Sequence, residues 1–116
     1  MTRILLLIFL VASGLIGQDA VEAGRFHVEH PTLLNLGFEW PISGDANRNS
    51  SVAVKFRKTG DAAWREGLPL VRMGGERIFR ARENFDYTVP HAFAGSIFNL
   101  EPGTEYECQF VMTDPD

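Results

Sequence analysis

The chain has 116 residues, room for one domain at most, with 11 basic and 15 acidic side chains and a net charge of −4 at pH 7. That balance argues against the concentrated positive face of a nucleic-acid surface, so no nucleic-acid partner is expected. Apolar residues make up 45%, which suits a packed core and argues against wholesale disorder. A lone cysteine, Cys108, excludes an internal disulfide, so the core alone must hold the domain together.

The first residues address the compartment. Met1, Thr2 and Arg3 make a short positive start, and Ile4 to Val11 is an unbroken apolar run. Small residues follow at Ala12, Ser13 and Gly14, with further processing positions at Gly17 and Ala23. This is the layout of a secretory signal peptide, assigned to residues 1–23. The apolar run is too short to cross a bilayer comfortably. The expected location is therefore secreted or periplasmic/extracellular, with no membrane attachment after the signal is cleaved.

From about Arg25 the texture becomes alternating. Leu34, Leu36, Phe38 and Trp40 share one parity, the mark of a strand with one buried face. Pro41 is expected to end it, and residues 43–47 supply turn chemistry. Val52, Val54 and Phe56 alternate with Ala53, Lys55 and Arg57 in a second strand. Thr59-Gly60-Asp61 turns into a short strand around Trp64, and residues 67–69 break it. Residues 73–94 read as a long connection with one or two short strands, whose aromatics fold back on the sandwich. A strand over residues 94–100 and a final one from Glu105, with Tyr106, Cys108, Phe110 and Met112 on one face, complete the series. Several short strands separated by turn signals predict an all-β sandwich or barrel over residues 25–116.

The segment Leu100-Glu101-Pro102-Gly103-Thr104-Glu105-Tyr106 carries the most specific signal. Leu100 plugs the core where one sheet hands over to the other, and Pro102 and Gly103 set the corner. Tyr106 opens the next strand, where its ring packs inward and its hydroxyl reaches a backbone group upstream, a tyrosine corner. The pattern Leu-x-Pro-x-Thr-x-Tyr resembles the junction before the penultimate strand of fibronectin type III domains. Trp40, closing Leu36-x-Phe38-x-Trp40, is similar to the core Trp of that family's second strand. Val54-x-Phe56-Arg57 with Trp64 looks like its third strand and neighbour. The resemblance implies a Greek-key, immunoglobulin-like sandwich. It also implies a further strand after Met112, for which the chain holds no residues, so the edge of the strand running from Tyr106 to Met112 is expected bare and the last strand missing. An immunoglobulin domain would share Tyr106-x-Cys108 but needs a second Cys; Cys108 therefore reads as a small buried hydrophobe. More loosely, Phe93-Ala94-Gly95-Ser96-Ile97 and Asp114-Pro115-Asp116 resemble an N-terminal module of bacterial secreted proteins that precedes a right-handed parallel β-helix of the polysaccharide-lyase type.

Chemistry-bearing residues are sparse. His27, His30 and His91 lack the Cys or acidic partners of a tetrahedral set, so neither metal nor other cofactor is expected. Glu105 and Glu107 alternate with Tyr106 and Cys108, which places them on a solvated strand face rather than across a hydrolytic cleft. The stretch from Arg72 to Arg82 offers one candidate ligand-binding set, Arg77, Phe79, Arg80 and Arg82, in which guanidinium groups would meet carboxylates and the ring a sugar face. Glu76 and Glu83 within it favour self-pairing. The chain is thus expected to be a non-catalytic accessory, spacer or interaction module whose partner is a downstream domain of the same polypeptide. The alternatives are a module for acidic extracellular polysaccharide, or the front part of a polysaccharide-degrading enzyme with its active site downstream.

Overall fold

A computed structural model describes residues 3–12 and 18–116, with backbone only at residues 10–12. The start Met1–Thr2 and the processing positions Ser13, Gly14 and Gly17 lie outside the described residues. Two β-sheets pack face to face in an all-β sandwich. One holds β1 (Arg3–Ala12), β11 (Glu105–Asp114), β5 (Ser51–Lys58) and β6 (Arg65–Glu66), in the order β1-β11-β5-β6. The other holds β2 (Val21–Ala23), β4 (Leu36–Gly44), β10 (Ala92–Ile97) and β7 (Val71–Met73), in the order β2-β4-β10-β7, with β3 (His27–Val28) also paired to β4. A separate two-stranded hairpin is formed by β8 (Arg77–Arg80) and β9 (Phe85–Thr88).

The period-two residues of the sequence fill the space between the sheets. Leu36, Phe38, Trp40 and Ile42 of β4 face Val52, Val54 and Phe56 of β5 and Tyr106, Cys108, Phe110 and Met112 of β11, all buried. Phe38 and Phe110 meet across the sheets at 4.6 Å, and Phe26 wedges beside them at 4.7 Å from Phe110 and edge-on to Trp40 at 5.2 Å. Trp40 buries its ring and satisfies its indole N–H on the Gly24 carbonyl at 3.1 Å, as a buried Trp must. Cys108 sits in this core, and burial pushes its thiol up to about 12.

The corner after β10 closes through Tyr106. Its buried hydroxyl accepts the Glu101 N–H at 2.9 Å, and Leu100, also buried, donates its N–H to the Leu34 carbonyl at 2.8 Å. Between them the chain turns at Pro102 and at Gly103, whose φ is +64°; a glycine takes that left-handed conformation without cost from a Cβ.

Three sequence expectations change. Pro41 does not end its strand: β4 runs on to Gly44. The neighbouring strand breaks there instead, since β2 pairs with Ile42 to Gly44 and β3 with Phe38 and Glu39. The side of Pro41 that lacks an N–H faces this break, and its carbonyl still accepts from Gly24 at 2.8 Å. A proline at a strand interruption costs no ladder bond. The strand expected over residues 94–100 begins earlier, at Ala92, and stops at Ile97, because Asn99 takes a left-handed φ of 59°. Finally, the β11 edge, for which the sequence offered no neighbour, carries β1. That pairing runs parallel from Arg3↔Glu105 to Ala12↔Asp114, whereas the other strand pairs among the described residues are antiparallel.

Candidate interaction surface

The stretch between β7 and β10 forms a projecting hairpin rather than a loop folded back on the sandwich. The chain leaves β7 at Gly74 and Gly75, with φ of +126° and +84°. A Cβ on Gly74 would lie 2.4 Å from the His91 Cα, so only glycine lets the two legs come this close. The ladder then continues from Gly75 N–H to Val89 O at 2.8 Å and from Val89 N–H to Glu76 O at 2.9 Å into β8 and β9. Asn84, at φ 49°, closes the turn by donating to the Ala81 carbonyl.

A buried ion pair anchors the base. The Arg72 Nε donates to Asp45 Oδ2 at 2.6 Å; the Asp45 side chain is fully buried and that of Arg72 is 10% exposed. Arg72 also donates to the Met73 carbonyl and approaches His91 Nδ1 at 3.2 Å. Burial acts to raise the Asp45 pKa, but hydrogen bonds from Arg72 and Ser50 outweigh it and hold the carboxyl below its ordinary value. Arg48 adds a bond to the Gly74 carbonyl at 2.9 Å and a looser pairing with Glu76 at 3.6 Å. Arg72 thus ties the base of the hairpin to the Asp45 loop.

Beyond this base none of the residues of β8 or β9 is buried. The register pairs Ile78 with Tyr87 and Arg80 with Phe85 on one face, and Arg77 with Thr88 and Phe79 with Asp86 on the other. The candidate set is thus split. Arg77 clamps Asp86 through two bonds of 2.8 Å and lies 5.1 Å over the Phe79 ring. Arg80 stands on the opposite face, 3.5 Å from Glu83, and Arg82 lies exposed in the 3₁₀ turn Ala81–Glu83. The face with Arg80 is the more continuous one. Ile78, Phe85 and Tyr87 join it at 42–45% exposure, and the Phe85 and Tyr87 rings lie 6.2 Å apart at 33°. A depression of about 310 Å³ opens among Ile78, Arg80, Glu83 and Phe85. The candidate set held Arg80 but none of these three neighbours, and Phe85 and Tyr87 were expected to fold back on the sandwich; the alternation Ile78-x-Arg80 and Phe85-x-Tyr87 around the Asn84 turn was the signal for their shared face.

Glu107 takes two bonds from Arg57 at 2.8 and 2.9 Å, and that guanidinium stacks 4.3 Å over Trp64. Glu105 is exposed, as are His27, His30 and His91. A groove of about 870 Å³ runs past Gln18, Ala20, Pro41, Ala46 and Pro90, with Glu22 and His91 as its titratable lining. Among the described residues no group of three or more His, Cys, Asp or Glu is placed to hold a metal ion, and no helix is long and apolar enough to cross a membrane. No protein-family model, no curated protein and no solved structure matches the chain.

Proposed function

We propose that the chain is a non-catalytic extracellular accessory module of the fibronectin type III kind, part of a larger secreted protein, that docks a neighbouring domain of the same polypeptide through the β8–β9 hairpin. The observation that carries this reading is the hairpin itself. It holds Ile78, Phe85 and Tyr87 in water on one face and stands on a base fixed by a buried ion pair, and an exposed apolar patch on a rigid support is the signature of a contact surface. The family resemblance rests on the Tyr106 corner with Leu100 and Pro102 and on the buried Trp40. Export is supported by the N-terminal pattern. Val21 lies in the core, which favours processing between Ala12 and Gln18 over processing after Ala23, since only the former leaves β2 in place. The mass of the exported chain tests this: a new N-terminus beyond Val21 would count against it.

Footprinting by hydroxyl radicals tests the docking. Phe85 and Tyr87 should be labelled several-fold less in the longer secreted polypeptide than in this chain alone. Equal labelling in both would sink the docking reading.

One observation favours a second reading, a module for acidic polysaccharide or the front part of an enzyme that degrades one. The tilted Phe85 and Tyr87 rings form a platform beside Arg80, and rings beside a guanidinium suit a uronic acid, face to ring and carboxylate to fork. Titration calorimetry with uronic-acid oligosaccharides decides it: heat that disappears in Tyr87→Ser carries the reading, and no heat removes it.

A further inference from the structure

The seat of β1 on β11 fits on one face and misfits on the other. Paired residues of a parallel ladder point to the same side, so Ile4, Leu6 and Ile8 follow Tyr106, Cys108 and Phe110 inward, while Leu5, Leu7 and Phe9 follow Glu107, Gln109 and Val111 outward. Inside, Ile4 and Leu6 pack against the core cluster, but Ile8 beside Phe110 remains 41% exposed. Outside, Leu5 stands in water against Glu107, and Leu7 against Gln109. At Arg3 opposite Glu105 the outward pairing is charge-complementary. The edge thus asks for aliphatic side chains at alternate positions with basic or polar ones between them, and β1 meets half of that request.

We propose that the β11 edge is a strand-acceptor site for an extended amphipathic segment of another polypeptide, aliphatic at alternate positions and basic between them, and that β1 is its replaceable filler. An uncovered strand edge offers a full row of backbone donors and acceptors, and adding a strand gives affinity through the main chain and selectivity through alternate side chains. The aliphatic row closes the sandwich over Cys108 and Phe110; the basic row answers Glu105 and adds a second cation beside Glu107, whose Oε2 Arg57 already holds. The proposal uses the export reading in one respect only, since processing of the N-terminal segment would vacate the seat.

The test keeps the full chain and evicts the filler with Ile4→Asp and Leu6→Asp together. The probe is a synthetic ten-residue strand with aliphatic residues in the places of Ile4, Leu6 and Ile8 and lysine in those of Leu5 and Leu7. Amide exchange along β11 should quicken about tenfold in the double variant, while β4 and β10 stay protected, and should return on adding the probe. Fluorescence anisotropy should report binding about tenfold tighter to the double variant than to the unaltered chain. Unchanged β11 exchange, equal affinity for both chains, or self-association of the variant without uptake of the probe would each overturn the proposal. Should the double variant fail to fold, the full chain with Leu5→Lys and Leu7→Lys decides instead: better outward matching should slow β11 exchange, and faster exchange refutes the site.

Discussion

The sandwich and the β8–β9 hairpin are both built from short strands of alternating side chains, yet one buries its apolar row and the other leaves it in water. In β4, β5 and β11 the large apolar residues keep one parity, so a second sheet can cover them all. In β8, Ile78 and Phe79 are adjacent and point to opposite faces. No single covering layer can bury both, and the hairpin stands clear. Alternation therefore specifies a strand, while unbroken parity across neighbouring strands specifies a core.

The largest effect should come from the centre of the sandwich. Phe110 is fully buried between Phe26 and Phe38, and Phe110→Ala should cost about 4 kcal/mol, lost transfer energy plus a cavity. Chemical denaturation measures it. A loss near zero would mean that this row is not the core and would erase the contrast with the hairpin.

Next is the ion pair that joins the two regions. Arg72→Ala leaves the Asp45 carboxylate buried without its main partner, at a cost of about 3 kcal/mol. The pH dependence separates this from lost packing. In the native chain the Asp45 pKa is lowered, so its contribution is complete above the ordinary carboxylate value near ~4 and fades as pH falls through the lower folded-state value. Without Arg72, burial dominates and the sign reverses, because protonation then relieves an unpaired buried charge. Denaturation midpoints of the two chains should converge as pH falls from 7 to 3; a constant gap would refute the electrostatic account.

A smaller step tests the corner. Tyr106→Phe keeps the ring in the core and removes only the acceptor for Glu101 N–H, at about 1 kcal/mol. This residue was also among the most legible in the sequence, since a Tyr after a Leu-x-Pro-Gly turn has few other uses. The parity of Leu36 to Trp40, Val52 to Phe56 and Tyr106 to Met112 made the core equally readable. Three things were hidden for physical reasons. Pro41 signals a strand end unless its bare side meets a break in the neighbour, and the β2–β3 break carries no sequence mark. An unbroken apolar run such as Ile4 to Val11 has no parity at all, so nothing in it points to an edge strand beside β11. In the candidate site the arginines were visible but their facing was not, because Arg72, Arg77 and Arg80 look alike in sequence. Only the register distinguishes an anchor, a clamp on Asp86 and an exposed side chain beside Glu83.

The smallest effect on stability is expected where the effect on function should be greatest. Phe85→Ser with Tyr87→Ser removes two rings that touch each other and solvent but not the core cluster. Substitutions at such sites shift stability by about 0.5 kcal/mol or less, and no enclosed cavity follows because both rings open to solvent. The ladder of β8 and β9 and the Arg77–Asp86 clamp lie in the backbone and on the opposite face, so the hairpin should keep its amide protection. What should vanish is recognition: the footprint of a docked domain, or the calorimetric heat of an acidic oligosaccharide. If the midpoint instead fell as far as in Phe110→Ala, the rings would be part of a shared core, and the hairpin would be a third layer of the sandwich rather than its contact surface.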